Sequence, residues 1–148
     1  MGDELNYFIT SMPGWMTADE AVRQRIISTA ERYLTDADAS ADIWLGQQPM
    51  SLQSNDLAAM RAFILLLQVA PEAYNGIPVM VWEKWTPVIV GLPKIGITDE
   101  SPEIRTLLKD ALIKAPQSFI STVRKMLHYF FIFPLKFKYI HPSAVLLY

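Results

Sequence analysis

Between Asn55 and Ala70 the chain runs NDLAAMRAFILLLQVA, with Leu57, Met60, Phe63, Ile64, Leu65, Leu66 and Leu67 spread around a helical wheel. Ser54 is placed to cap this helix. A helix without a solvated face has to be covered by other elements. At 16 residues it is shorter than the roughly 20 needed to cross a membrane, so the cover must come from protein. The chain has 148 residues, 51% of them hydrophobic, which suits one domain with a substantial core. This segment is expected to be the central helix of that domain.

Its neighbours read as helices too. Thr17-Ala18-Asp19-Glu20 has the form of a capping box, in which the threonine hydroxyl and the glutamate return hydrogen bonds to each other's backbone. Val22, Ile26, Ala30 and Tyr33 then recur at helical spacing, and the helix is expected to reach about Leu34. TDADASAD follows as an acidic loop, and Asp42-Ile43-Trp44-Leu45-Gly46 reads as a short turn anchoring Trp44. Pro71 opens the next element, Asn75-Gly76 marks a turn, and Pro78 to Gly91 reads as a helix that Pro87 should kink or split. Ser101-Pro102-Glu103 supplies a cap, a first-turn proline and a first-turn acid, followed by Ile104, Leu107, Leu108, Ala111 and Leu112 on one stripe. Pro116 opens a last helix carrying Phe119, Val123, Met126 or Leu127, and Phe130, which Pro134 should stop. The closing residues LKFKYIHPSAVLLY alternate for a few positions like an edge strand.

One similarity is internal. Leu67 to Tyr74 (LQVAPEAY) and Leu112 to Phe119 (LIKAPQSF) both read L-x-x-A-P-[E/Q]-x-aromatic, 45 residues apart. A period of about 40 to 47 residues with two helices per unit is the spacing of HEAT or armadillo repeats. The expected fold is therefore all-α, with antiparallel helical hairpins stacked in a HEAT/armadillo-like array. It divides into an N-terminal segment (1–16), a helical-repeat domain (17–127) and an aromatic, acid-free tail (128–148).

Several chemistries fail on their own requirements. With no cysteine, thiol catalysis, thiolate zinc sites and disulfide scaffolds are excluded. Gly91 to Thr98 has the glycine spacing of a phosphate loop, but Ile97 stands where that loop needs lysine. Asp36, Asp38 and Ser40 echo the start of a calcium loop, but Ala41 and Gln47 occupy its glycine and glutamate positions. His128 and His141 are thirteen apart, with no acid after Asp110 to join them. No nucleophile elbow is present. No cofactor, no metal and no catalytic residue is expected.

The formal charge of −2 hides a split: −7 through Asp110 and +5 after it. Five bases over 38 residues make too thin a footprint for nucleic acid. No segment reads as a membrane span or a cationic secretory leader, so a cytoplasmic location is expected. Two features remain. Trp44, Trp82 and Trp85 are candidates for a partner-binding patch, because tryptophan is enriched in interface hot spots; the alternative is that they pack between helices. From Met126 onward there are seven aromatics in 23 residues, interleaved with lysines. Phe133, Lys136, Phe137, Lys138 and Tyr139 would suit an interfacial membrane anchor. The same tail would also suit a strand pairing with a partner, or a non-native continuation of a truncated repeat array.

Ala30 to Leu34 (AERYL), Asp42 to Gly46 (DIWLG), Met60 to Glu72 (MRAFILLLQVAPE) and Val81 to Pro87 (VWEKWTP) together resemble the helical-repeat regions of large bacterial NACHT-type signalling NTPases. The resemblance spans about residues 17 to 127 and excludes the NTPase core. It implies a sensor or scaffold module whose partner is another protein or the rest of a parent chain. The functional expectation is thus a non-catalytic interaction module, with peripheral membrane association through the tail as the alternative.

Overall fold

The computed structural model describes residues 6–45, 53–92 and 101–140, and for 129–140 the backbone alone. Among these residues every regular element is helical. A 3-10 turn (Ile9–Ser11) is followed by α1 (Pro13–Met16), α2 (Glu20–Asp36), α3 (Ala41–Trp44), α4 (Ser54–Val69) and α5 (Pro71–Asn75). Then come α6 (Val79–Gly91), α7 (Pro102–Lys114) and α8 (Pro116–Ile140). The fold class is all-α, as the periodicities require.

α4 lies at the centre and packs against α2, α5, α6 and α7. Its Ala59, Met60, Phe63, Ile64, Leu65 and Leu66 are fully or almost fully buried. The second focus is α6, which packs against α7 and α8 and buries Trp82, Trp85, Val88 and Ile89. Aromatic rings join the two foci. Phe63 lies 5.0 Å from Trp82, Tyr74 meets Trp82 edge-on at 5.7 Å, and Tyr33 stacks on Trp85 at 6.2 Å. Such pairs add roughly 0.5–1.5 kcal/mol beyond the area they bury.

The two Ala-Pro motifs have nearly one backbone conformation. Ala70 has φ −140°, ψ 63°, and Ala115 has φ −137°, ψ 61°. Each alanine N–H closes the preceding helix (Ala70 to Leu66 O, 2.9 Å; Ala115 to Ala111 O, 2.8 Å). Each alanine carbonyl accepts the N–H of the following aromatic, Tyr74 or Phe119, at 3.0 Å. Proline suits this place because its missing N–H falls in the first turn, where no intrahelical partner exists.

Several boundaries differ from expectation. The cap of α2 is Asp19, whose Oδ1 accepts the Val22 N–H at 2.8 Å. Thr17 instead ends α1, its hydroxyl donating to Pro13 O at 2.9 Å, while Glu20 accepts from Gln24. A short proline-started helix ahead of α2 claims Thr17, and the aspartate two residues on takes over. Ser54 is the first residue of α4, with Gln53 at the N-cap position. Leu112 is exposed at the end of α7.

The prolines inside helices neither split nor stop them. α6 runs unbroken through Pro87. Proline removes the bond that would reach the carbonyl of Glu83; Ser118 of α8 supplies it, its hydroxyl donating to Glu83 O at 2.9 Å. α8 likewise continues past Pro134 to Ile140, so residues 135–140 are helical and not an edge strand. The remainder of that tail, from His141, lies outside the described residues, as does the Gly46 to Leu52 connection.

Candidate functional site

An open apolar groove lies between the 3-10 turn, α2 and α4. Ile9, Val22, Ile26 and Tyr33 form its walls, and Ala30, Ala58 and Ala62 its floor, around a volume of about 480 Å³. Arg25 and Thr29 edge it. α2 offers a stripe at helical spacing, but only Ala30 of that stripe is buried; Val22, Ile26 and Tyr33 stay half-exposed. The reason is on the facing helix. Ala58 and Ala62, one turn apart, put short side chains opposite the stripe, so it meets a notch. Tyr33 is held as a rigid wall by its hydroxyl, which donates to Asn55 O at 2.7 Å, and by its stack on Trp85. Burial, with a smaller push from Asp56, raises its hydroxyl pKa.

All three candidate tryptophans of the partner patch are interior. Trp44 and Trp82 are 1% exposed and Trp85 0%. Two of the three indole N–H groups are bonded inside the molecule. Trp44 Nε1 donates to Asp56 Oδ2 at 2.6 Å and Trp85 Nε1 to Leu34 O at 2.8 Å. Trp44 also lies over Gly91, where an added Cβ would come within 2.9 Å of the indole. Gly91 therefore permits this close approach; residues 93–98 of the glycine-spaced sequence lie outside the described residues. The tail residues Phe133, Lys136, Phe137, Lys138 and Tyr139 fall in the last turns of α8, where the backbone alone is described. His128 is exposed on the same helix and His141 lies outside the described residues.

Sequence reasoning missed the polar knot that holds α3 in place. Asp56 is completely buried and accepts from the Ser40 N–H at 2.8 Å as well as from Trp44. Beside it, Asn55 Nδ2 donates to Asp38 O at 2.9 Å and to Ser40 Oγ at 2.6 Å. Of the residues that echo a calcium loop, Asp38, through its carbonyl, and Ser40 are thus tied to α4 by amide donors. Among the described residues no three metal-binding side chains converge. The signal was available: a lone acid in the first turn of an otherwise apolar helix needs donors when it is buried.

Two buried tyrosines complete the titratable interior. The Tyr74 hydroxyl donates to Asp110 Oδ2 at 2.5 Å, and burial followed by that bond and charge pushes its pKa far up. Tyr7 is 1% exposed and, among the described residues, its hydroxyl has no hydrogen-bond partner. Burial raises it to about 12, against a smaller downward pull from Arg61.

No family model, no curated protein and no solved structure matches this chain.

Proposed function

We propose that this chain is a non-catalytic protein-interaction module whose α2/α4 groove receives an amphipathic helix from its partner. The groove itself carries this reading: apolar walls, a small-residue floor and an open top are what a helix face with anchors at i, i+3, i+4 and i+7 fits. The two Ala-Pro junctions support a HEAT-like stacking of helix pairs, in which the concave side is the usual binding side. On the resemblance to NACHT-type repeat regions, the partner helix would belong to a parent signalling chain, in the cytoplasm.

Panning the full chain against a displayed library of random peptides tests this. Enriched sequences should carry apolar residues at helical spacing, and their binding should be lost in Ala58→Glu and Ile26→Asp, both at partly exposed positions where the fold is expected to survive. Retained helix content and melting temperature confirm that the variants fold. Peptides without helical spacing, or equal binding to both variants, would refute the groove as the site.

A second reading has one observation in its favour. Positions 133–139 lie on a helix continuous with the packed part of α8, and an aromatic, lysine-bearing helix suits a membrane interface better than a strand does. Co-sedimentation with anionic vesicles should fall sharply in Lys136→Glu/Lys138→Glu under this reading and stay unchanged under the first.

A further inference from the structure

A second cleft, independent of the groove, opens where the α2–α3 connection faces α6 and α8. It has a volume of about 420 Å³ and carries four formal charges, from Asp38, Asp42, Lys84 and Lys125. Ala39, Ala41, Leu45 and Pro87 supply its apolar surface. That size lies in the range of small-ligand sites, roughly 300–1,000 Å³.

The arrangement of charge is specific. Both carboxylates come from one wall, the α2–α3 connection and α3, while the lysines come from α6 and α8. Among the described residues no ion pair within 4.0 Å joins them. Lys84 is held in place: its Nζ donates to Thr35 O at 2.8 Å and lies 5.4 Å from the Trp85 ring centroid. An ammonium has three donors, so two remain available to an incoming acceptor. The polar knot at Asp56 fixes the opposite wall, through Ser40 and the Asp38 carbonyl.

Among the described residues the two negative and two positive groups stand on different elements, and their formal charges cancel. An anion or a cation alone would satisfy one wall and oppose the other. A zwitterion whose ammonium faces the carboxylates while its adjacent carboxylate faces the lysines satisfies both, and the alanine, leucine and proline of the same lining suit a short aliphatic side chain. We propose that this cleft binds a free aliphatic α-amino acid, its ammonium toward Asp38 and Asp42 and its carboxylate toward Lys84 and Lys125.

The test is titration of the full chain with L-leucine, followed by amide chemical shifts. Saturable shifts are expected at Ala39, Asp42 and Lys125, with a Kd of about 1 mM or tighter. N-acetyl-leucine lacks the ammonium and leucinamide lacks the carboxylate. Each should bind at least about tenfold more weakly, as expected when one charge-assisted contact is lost. Asp42 and Lys125 are exposed, so Asp42→Asn and Lys125→Met should fold unchanged and also lose about tenfold. No saturable shift with leucine, or equal binding of leucine, its two analogues and the two variants, would overturn the proposal. Because no groove residue lines this cleft, failure here leaves the peptide experiment unaffected.

Discussion

The two Ala-Pro junctions begin alike and end differently. Their alanines agree within about 3° in φ and ψ, and their hydrogen bonds match. After Pro71 the helix lasts only to Asn75, Gly76 turns the chain, and Tyr74 is buried against Trp82 with its hydroxyl on Asp110. After Pro116 the helix runs to Ile140, and Phe119 is only half-buried. Local chemistry therefore sets the junction, while the turn signal four residues later decides whether the aromatic becomes a core residue or an edge residue.

The sharpest way to break this comparison is to remove both aromatics. Tyr74→Ala opens a cavity beside Trp82 and should cost about 3–5 kcal/mol of stability, in the range for deleting a buried aromatic. Phe119→Ala removes partly exposed surface and should cost about 1–2 kcal/mol. Urea denaturation of the two variants measures the difference. Equal losses would mean that the junctions are equivalent in packing as well as in backbone.

The same contrast shows what the sequence could and could not reveal. The apolar wheel of Leu57 to Leu67 and the proline-started helices at Pro71, Pro102 and Pro116 were legible because their causes are local. So was the matched pair of junctions, because identical short-range hydrogen bonds follow from identical motifs. The groove was half-legible: its α2 stripe was visible, but its openness depends on Ala58 and Ala62 standing opposite, which no pattern within α2 records. The capping box was misread because two acceptable caps, Thr17 and Asp19, lie two residues apart and an unforeseen α1 took the first. The tryptophans posed a question of burial, and burial is settled by partners such as Asp56 and Gly91 from distant parts of the chain. The charged cleft was invisible for the same reason, since its walls come from three separate stretches of sequence.

Pro87 offers a second, finer break. Its helix survives because Ser118, two residues after the second junction's proline, donates to the carbonyl that Pro87 leaves unbonded. Ser118→Ala should cost about 1 kcal/mol, the net worth of a typical hydrogen bond. Pro87→Ala restores an N–H that can reach Glu83 O within the helix. In that background Ser118→Ala should become nearly neutral, a coupling measurable by a double-mutant cycle. An undiminished cost would show that Ser118 acts on something other than the proline gap.

The smallest effect separates the junctions by pH. Phe119 cannot titrate, whereas burial and the Asp110 bond hold the Tyr74 proton well above its ordinary pKa of 10.0. In the unfolded chain the same hydroxyl ionises at about 10. Below that pH both states keep the proton and the tyrosine contributes no slope. As pH rises through 10 the unfolded state sheds the proton first, so the folded state loses relative stability. One such tyrosine gives a loss of about 0.4 kcal/mol by pH 10, growing above it. Tyr7, raised to about 12 by burial, adds a slope of the same sign that flattens once its own pKa is passed. Urea denaturation at pH 8 and pH 10 should therefore show Tyr74→Phe losing about 0.4 kcal/mol less than the parent chain across that interval. Lysine titration affects both proteins alike and cancels in the difference. An identical alkaline loss in the two proteins would mean that Tyr74 ionises freely in the folded state, and that the first junction is no more enclosed than the second.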